Sequence, residues 1–311
     1  IFYPRVFLFN GMTREDKEFY LPTIYKESET VETTHLFLNI DQLITCKPLA
    51  IENRGSHVTH DDLGILSNGW LYMVGNKIDQ LGQGTPPSMV QDLAQQVHDL
   101  SGCTVMPGLI DSHTHPLYGG DRAHEFLQRM AGLSYEEIAS QGGGIQYTVQ
   151  KTKEAEDSLL TRGCLKRLSE FLDWGVTTVE VKSGYGLTVE EELRQLRLYK
   201  QISLEAQQTL YVTCLALHAI PKGLEGSVEA HVDKVTRELL PLVAKESLAQ
   251  GIDVFIEKGY FTSSQSEEYL RVGKSLGFDL RVHADEFSRC GGSLIASKWQ
   301  AKSADHLQAA H

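Results

Sequence analysis

The feature that most constrains the fold is a regular alternation of β-type and helical runs from about residue 105 onward. Cys103 to Ile110 is apolar and leads into Asp111-Ser-His-Thr-His115. A long amphipathic stretch, Lys153 to Trp174, follows, with Leu159, Leu160, Leu165, Leu168 and Leu172 at helical spacing. Val176 to Val181 is a short β-branched run, and helix-like Val189 to Ala206 leads into Thr209 to Ala216. Ala230 to Gln250 reads as helix before the strand-like Ile252 to Ile256, and Ser264 to Leu276 as helix before Phe278 to Val282. A weaker strand signal falls at Lys302 to Asp305. Such alternation predicts a parallel sheet wrapped by helices. A closed eight-stranded barrel takes about 250 residues. The stretch from residue 105 to 311 is shorter and carries six strand signals, so two strand–helix units are expected to be missing at the C-terminal side. An open doubly wound sheet is the competing arrangement, but no glycine-rich phosphate fingerprint follows the first strand.

Before residue 105 the chain has a different character. Thr34 to Ile40 and Gly69 to Gly75 are β-type runs separated by polar loops, with turn signals at Ser67-Asn68 and Asn76-Lys77. These predict a small β-rich module, and residues 1–33 show no clear period. The expected domains are therefore 1–105 and 106–311.

Composition narrows the function. The chain has 311 residues, of which 41% are hydrophobic and 23% charged, as in an ordinary globular protein. With 29 basic against 41 acidic residues the net charge is -12, which repels phosphate backbones and argues against a nucleic-acid partner. No apolar run approaches the ~20 residues that span a bilayer, so no membrane partner is expected. Five scattered cysteines without a CxxC pair read as buried or free thiols in a reducing, cytoplasmic setting. The chain opens on Ile1 without an initiator Met, and the pattern at His311 promises more, so it reads as a possible fragment.

The chemistry lies at the strand ends. In extended chain, residues two apart point to the same side, so His113 and His115 could grip one cation together. Alone the pair is weak, because the chain has 12 histidines and surface or turn histidines are the commoner case. Position changes that weighing. His218, His283 and His306 each fall at the end of a different predicted strand, and parallel barrels build active sites from such ends. Imidazole is the usual nitrogen donor for zinc or iron, and a catalytic site keeps one position for water. Glu286, three residues past His283, is placed to shuttle a proton, although a lone Glu there could equally be a helix N-terminal charge. Arg122 follows a Gly-Gly turn, where its fork could clamp a carboxylate; an Arg in a loop is otherwise usually solvated. Tyr185 lies between glycines that admit a ligand, with a core tyrosine as the bland alternative. Lys182 and Lys258 also sit near strand ends. A carboxylated lysine could bridge two metals, but an ordinary ion-pair partner is an equal reading of each, and a single ion is expected.

These segments resemble the amidohydrolase superfamily and, within it, the imidazolonepropionases of histidine breakdown. The resemblance rests on Met106-Pro-Gly-Leu-Ile-Asp-Ser-His-Thr-His-Pro116, Gly119-Gly-Asp-Arg-Ala-His-Glu-Phe126, Gln141-Gly-Gly-Gly-Ile145 and Val179-Glu-Val-Lys-Ser-Gly-Tyr-Gly-Leu187. His218-Ala-Ile-Pro221, Asp253-Val-Phe-Ile-Glu-Lys-Gly259, His283-Ala-Asp-Glu286 and Ser303-Ala-Asp-His306 continue it. It covers residues 34–311. The Pro-Gly-x-x-Asp-x-His-x-His start marks only the superfamily, whereas the Gly-Gly-Asp-Arg, Lys-Ser-Gly-Tyr-Gly-Leu and His-Ala-Asp-Glu segments are specific.

The resemblance implies an α/β fold, a TIM-like (β/α)8 barrel of the amidohydrolase type. Here the barrel would be C-terminally incomplete, with a small β-sandwich domain contributed by the N-terminal part. It implies one metal ion, zinc or iron, held by His113, His115 and His283, with an aspartate after the eighth strand falling beyond His311. Arg122, Tyr185, His218 and Glu286 would bind substrate, with Tyr135 a weaker candidate, and Glu286 and His306 would be catalytic. The implied reaction is metal-dependent hydrolysis of a small-molecule cyclic amide, 4-imidazolone-5-propanoate, to N-formimidoyl-L-glutamate, by a cytoplasmic homodimer. Two alternatives stay open: another amidohydrolase, such as a deaminase or a dihydroorotase-like ring opener, and a non-catalytic fragment.

Overall fold

The structure is a computed structural model that describes residues 6–9 (backbone only), 32–46, 61–134, 137–138, 141–224 and 226–310. The chain separates into two compact units, Ile1–Leu109 and Ile110–His311.

The first unit holds a six-stranded sheet. Its strands are β1 (Val6–Phe9), β2 (Thr34–Ile44), β3 (Ile65–Val74), β4 (Lys77–Gln83), β5 (Gln96–Asp99) and β6 (Thr104–Pro107). Their order is β1-β6-β2-β3-β4, with β5 paired to β2, and a short helix, α1 (Ser88–Leu93), precedes β5. Period-two alternation along β2 and β3 sends side chains to opposite faces. One cluster gathers Phe37, Ile40, Leu43, Leu71, Met73 and Val105, and the other gathers Leu36, Trp70, Tyr72 and Val90.

The second unit is a curled parallel sheet with helices between its strands. Its strands are β7 (Leu109–Thr114), β8 (Val176–Lys182), β9 (Thr209–Leu217), β10 (Gly251–Ile256), β11 (Asp279–Ala284) and β12 (Ser303–His306). They follow one another in sequence order from β7 to β12. Although β7 and β12 lie at opposite ends of that order, His113 Nδ1 on β7 is 2.8 Å from Asp305 Oδ2 on β12. A flat six-stranded sheet would separate its outer strands by more than 20 Å at about 4.8 Å per step. The sheet therefore bends round into a nearly closed, incomplete barrel. The helices are α2 (Ala123–Met130), α3 (Ile145–Glu154), α4 (Asp157–Asp173), α5 (Val189–Glu205), α6 (Val228–Lys234), α7 (Leu240–Glu246), α8 (Ser263–Ser275) and α9 (Gly292–Trp299). Their apolar faces and the outer faces of the strands build one core that includes Leu160, Leu168, Leu196, Leu239, Ile252, Tyr269 and Val282.

Three runs that read as continuous in the sequence are broken in the structure, each for a local reason. Cys103 to Ile110 divides into β6 and β7, which belong to different sheets; Pro107 lacks an N–H and Gly108 is conformationally free, so the chain leaves one ladder there and enters another. Lys153 to Trp174 divides into α3 and α4, because Ala155 and Glu156 take extended backbone angles between them. Ala230 to Gln250 is α6 and α7 joined by a π turn, Val235–Leu239, just before Pro241. Pro241 cannot donate to the turn below it, so the helix widens there.

Among the described residues no helix is long and apolar enough to cross a membrane, and all five cysteines are free.

Candidate metal centre

Five of the six strands deliver polar residues to one end of the sheet. His113 is the penultimate residue of β7 and His115 follows that strand; Lys182 ends β8; His218 follows β9; His283 is penultimate in β11; His306 ends β12. Parallel strands place every C-terminal end at the same mouth, so residues more than a hundred positions apart in sequence meet there. The ring of His113 lies 4.5 Å from that of His283, 5.0 Å from that of His306 and 5.3 Å from that of His115, centre to centre. His115 stacks on His218 at 4.9 Å. Tyr185 joins the same group, 5.6 Å from His218 and 5.9 Å from His115.

Two triads of imidazoles, His113–His283–His306 and His115–His218–His283, each offer ligand nitrogens that lie within 4.8 Å of one another. His283 belongs to both. His113 and His115, expected to act as a pair, thus fall in different triads. The donor chemistry suits a metal ion. His115 Nδ1 and both ring nitrogens of His283 are buried without a hydrogen-bond partner, which is costly unless a group beyond the protein's own satisfies them. Burial and the neighbouring imidazoles hold His115 well below its ordinary pKa and bring His218 down to about 3. Burial, with His283 and His113 beside it, brings His306 to about 4. These rings are neutral at pH 7, the form that donates to a metal.

Beneath the imidazoles lies a buried charged network that the sequence reading did not assemble. Lys182, fully buried, places Nζ 2.7 Å from Asp253 Oδ2, 2.9 Å from Glu180 Oε1 and 3.3 Å from Asp305 Oδ2. Burial alone would lower the lysine's pKa, but the three carboxylates outweigh it and raise it, so the side chain is an ammonium. It is an ion-pair partner of Asp253, Glu180 and Asp305. Asp253 is held well below the carboxylate range because His283 and Lys182 outweigh its burial. Asp305 is brought to about 2 against its burial by the His113 hydrogen bond and the Lys182 charge. Arg281 adds a further cation, with Nε 2.9 Å from Glu180 Oε1. The sequence did carry a signal: Asp253 interrupts Gly251–Ile256, a strand whose every residue is buried, and a carboxylate there has to be paired.

Glu286 and His306 are brought together, with His306 Nε2 3.7 Å from Glu286 Oε2. Burial raises the Glu286 pKa above its usual value. The backbone around Glu286 is tied down on both sides. Glu257 accepts hydrogen bonds from the amides of Phe287 (2.8 Å) and Ser288 (3.1 Å), and Asp285 accepts from those of Cys290, Gly292 and Ser293. Glu192, fully buried near the start of α5, does the same for the Tyr185 loop by accepting from Gly186 (2.7 Å) and Leu187 (2.8 Å). Arg122 is placed differently from the rest. It stands before α2, exposed, with its guanidinium 3.8 Å from Glu125 Oε2. Tyr135 lies outside the described residues.

No family model matches the chain. Curated proteins do. The chain is 43% identical over 245 residues to an imidazolonepropionase of Erwinia tasmaniensis, covering 79% of this chain and 60% of that protein. It is 40% identical over 274 residues to an imidazolonepropionase of Bdellovibrio bacteriovorus, covering 88% and 64%. It thus spans about three fifths of the length of the curated relatives it matches. Among solved structures it resembles a triazine hydrolase of Arthobacter aurescens, with a TM-score of 0.58 and 15% identity over 86% of this chain and 56% of that one. It also resembles a mutant atrazine chlorohydrolase of Arthrobacter aurescens complexed with zinc and atraton, with a TM-score of 0.53 and 14% identity over 86% and 56%. The distant structural likeness shows a shared fold, and the sequence identity goes further: over the residues that align, this chain belongs to the imidazolonepropionase family.

Proposed function

We propose that the protein carrying this chain hydrolyses the cyclic amide 4-imidazolone-5-propanoate to N-formimidoyl-L-glutamate, using one metal ion held by His113, His115 and His283. The observation that carries this reading is the convergence of strand-end imidazoles around His283, whose buried ring nitrogens make no regular hydrogen bond within the protein. Zinc and iron both suit nitrogen and oxygen donors; the zinc complex of the atrazine chlorohydrolase, which shares the fold, makes zinc the first ion to test. When bound, such an ion supplies Lewis acidity, which brings the pKa of water from 15.7 toward about 7.

The remaining steps belong to the protein's own residues. Arg122 holds the propanoate carboxylate and so fixes the ring's orientation. Tyr185 and His218, whose rings lie 5.6 Å apart, line the face against which the imidazolone rests. Glu286, with its raised pKa, relays a proton to the departing ring nitrogen. His306, next to Glu286, stabilises the oxyanion that develops at the ring carbonyl. Residues 1–105 act as the β module and 106–311 as the catalytic barrel, and the enzyme works as a cytoplasmic homodimer.

The test is metal content and turnover of 4-imidazolone-5-propanoate, compared with His283→Ala. Stoichiometric metal and turnover that both disappear in the variant are expected. A protein that binds no metal, or a variant with full turnover, would reject the reading. A second assignment of ligands is favoured by the His115–His218–His283 triad, in which His218 binds metal in place of His113. His218→Ala separates the two: it raises KM if His218 touches substrate and empties the centre of metal if it is a ligand.

A further inference from the structure

Lys182 joins the two sides of the imidazole cluster from below. Its ammonium contacts Asp253 Oδ2 at 2.7 Å and Asp305 Oδ2 at 3.3 Å. Each of those carboxylates faces an imidazole from a different strand. Asp253 Oδ2 lies 2.9 Å from His283 Nδ1, and its Oδ1 accepts the His283 backbone N–H at 3.1 Å. Asp305 Oδ2 lies 2.8 Å from His113 Nδ1. In the β11–β12 ladder His283 stands opposite Asp305, so the two carboxylate–imidazole pairs interlock around the lysine.

A carboxylate against Nδ1 favours the tautomer protonated there and leaves the Nε2 lone pair facing away. Neither ring nitrogen of His283 makes a regular hydrogen bond within the protein, but Nδ1 alone has a carboxylate against it, at 2.9 Å, which leaves Nε2 as the atom for an ion. We propose that Lys182 is the positioning residue of the centre. By pinning Asp253 and Asp305 against the Nδ1 atoms of His283 and His113, it makes both rings present Nε2 to the metal. This rests on the reading above that these two histidines are ligands. A purely structural role explains the arrangement less well, because burying an ammonium among carboxylates costs desolvation that a well-packed apolar side chain of similar size avoids. Lys182 also supplies the positive charge between Asp253 and Asp305, which together with His283 form a third candidate ligand group. That leaves the ion to the imidazoles.

The experiment is a cobalt(II) and zinc(II) titration of the full protein, apo and folded, with Lys182→Met beside wild type. The Lys182→Met protein is expected to keep a cooperative melt in its metal-free form and to bind either ion ~10–100-fold more weakly. Its cobalt absorption bands should also shift as the ligand rings reorient. Asp305→Asn is the second variant, because Asp305 is only partly buried and its loss detaches His113 alone; about a tenfold weaker affinity is expected. Should Lys182→Met fail to fold, Asp305→Asn decides alone. Wild-type affinity and an unchanged cobalt spectrum in the folded variants would overturn the inference. A wild-type protein that binds neither ion is a different result, since it removes the metal-hydrolase reading itself.

Discussion

His283 shows how much a single position has to satisfy. Its backbone N–H and its Nδ1 both face Asp253, its ring lies among those of His113, His115, His218 and His306, and neither ring nitrogen makes a regular hydrogen bond. Arg122 is the opposite case, a residue whose proposed role depends on charge more than on enclosure, since it is exposed and makes a long contact, 3.8 Å, with Glu125. Arg122→Ala should therefore raise KM for the propanoate substrate by roughly 10–100-fold, the cost of losing a charge-assisted hydrogen bond, and leave the fold unchanged. Steady-state kinetics check this, with a substrate lacking the carboxylate as the insensitive control. Glu257 offers a test by pH. Burial would raise its pKa, but the hydrogen bonds it accepts from Ser288, Phe287 and Lys258 hold it below the ordinary 4.5. A carboxyl depressed on folding stabilises the native state above its unfolded pKa, and that contribution fades as pH falls through its folded pKa. Glu257→Gln should thus be less stable than wild type by about 1–3 kcal/mol at pH 7. The gap in chemical denaturation midpoints should close as the pH is taken below 4.5.

At the scale of elements, close approach between helix and strand sets the geometry of the mouth. A side chain on Gly273 of α8 would place Cβ 2.0 Å from Ile252 Cδ1 on β10, the strand that carries Asp253. Gly273→Ala gains helix propensity but overpacks that contact, so a net loss of about 1–3 kcal/mol is expected, measured by denaturant titration. The loop from β8 to α5 is governed by Glu192, which returns from the helix to accept the amides of Gly186 and Leu187. Leu187 sits at a φ of 61°, an unfavourable region for a leucine, and is held there by that hydrogen bond and by full burial. Glu192→Ala should release the loop, seen as faster hydrogen exchange at Gly186 and Leu187 and a raised KM through Tyr185. Unchanged exchange would show that other contacts fix the loop. Element existence was largely legible from periodicity. The breaks at Gly108, Ala155 and the π turn before Pro241 were not, because each depends on one or two backbone angles inside a run whose apolar spacing stays continuous.

For the whole molecule, metal binding and stability should be linked. An ion that binds the native centre and not the unfolded chain adds ~4 kcal/mol at a thousand times its Kd. A chelator should lower the melting temperature of wild type and leave that of His283→Ala where it was, and scanning calorimetry with and without chelator checks this. The sequence by itself determined the alternation of strand and helix, the placement of histidines at strand ends and the family motifs, because these are local patterns written in residue order. It determined the chemistry of the donors as well, since imidazole is imidazole wherever the chain carries it. Only the tertiary structure decided which of those donors meet. The curl of the sheet brings β7 beside β12, splits His113 and His115 between two triads and sets Lys182 beneath Asp253 and Asp305. That pairing depends on strand register and sheet curvature, which are set by packing across the whole barrel and leave no trace in the spacing of any one segment.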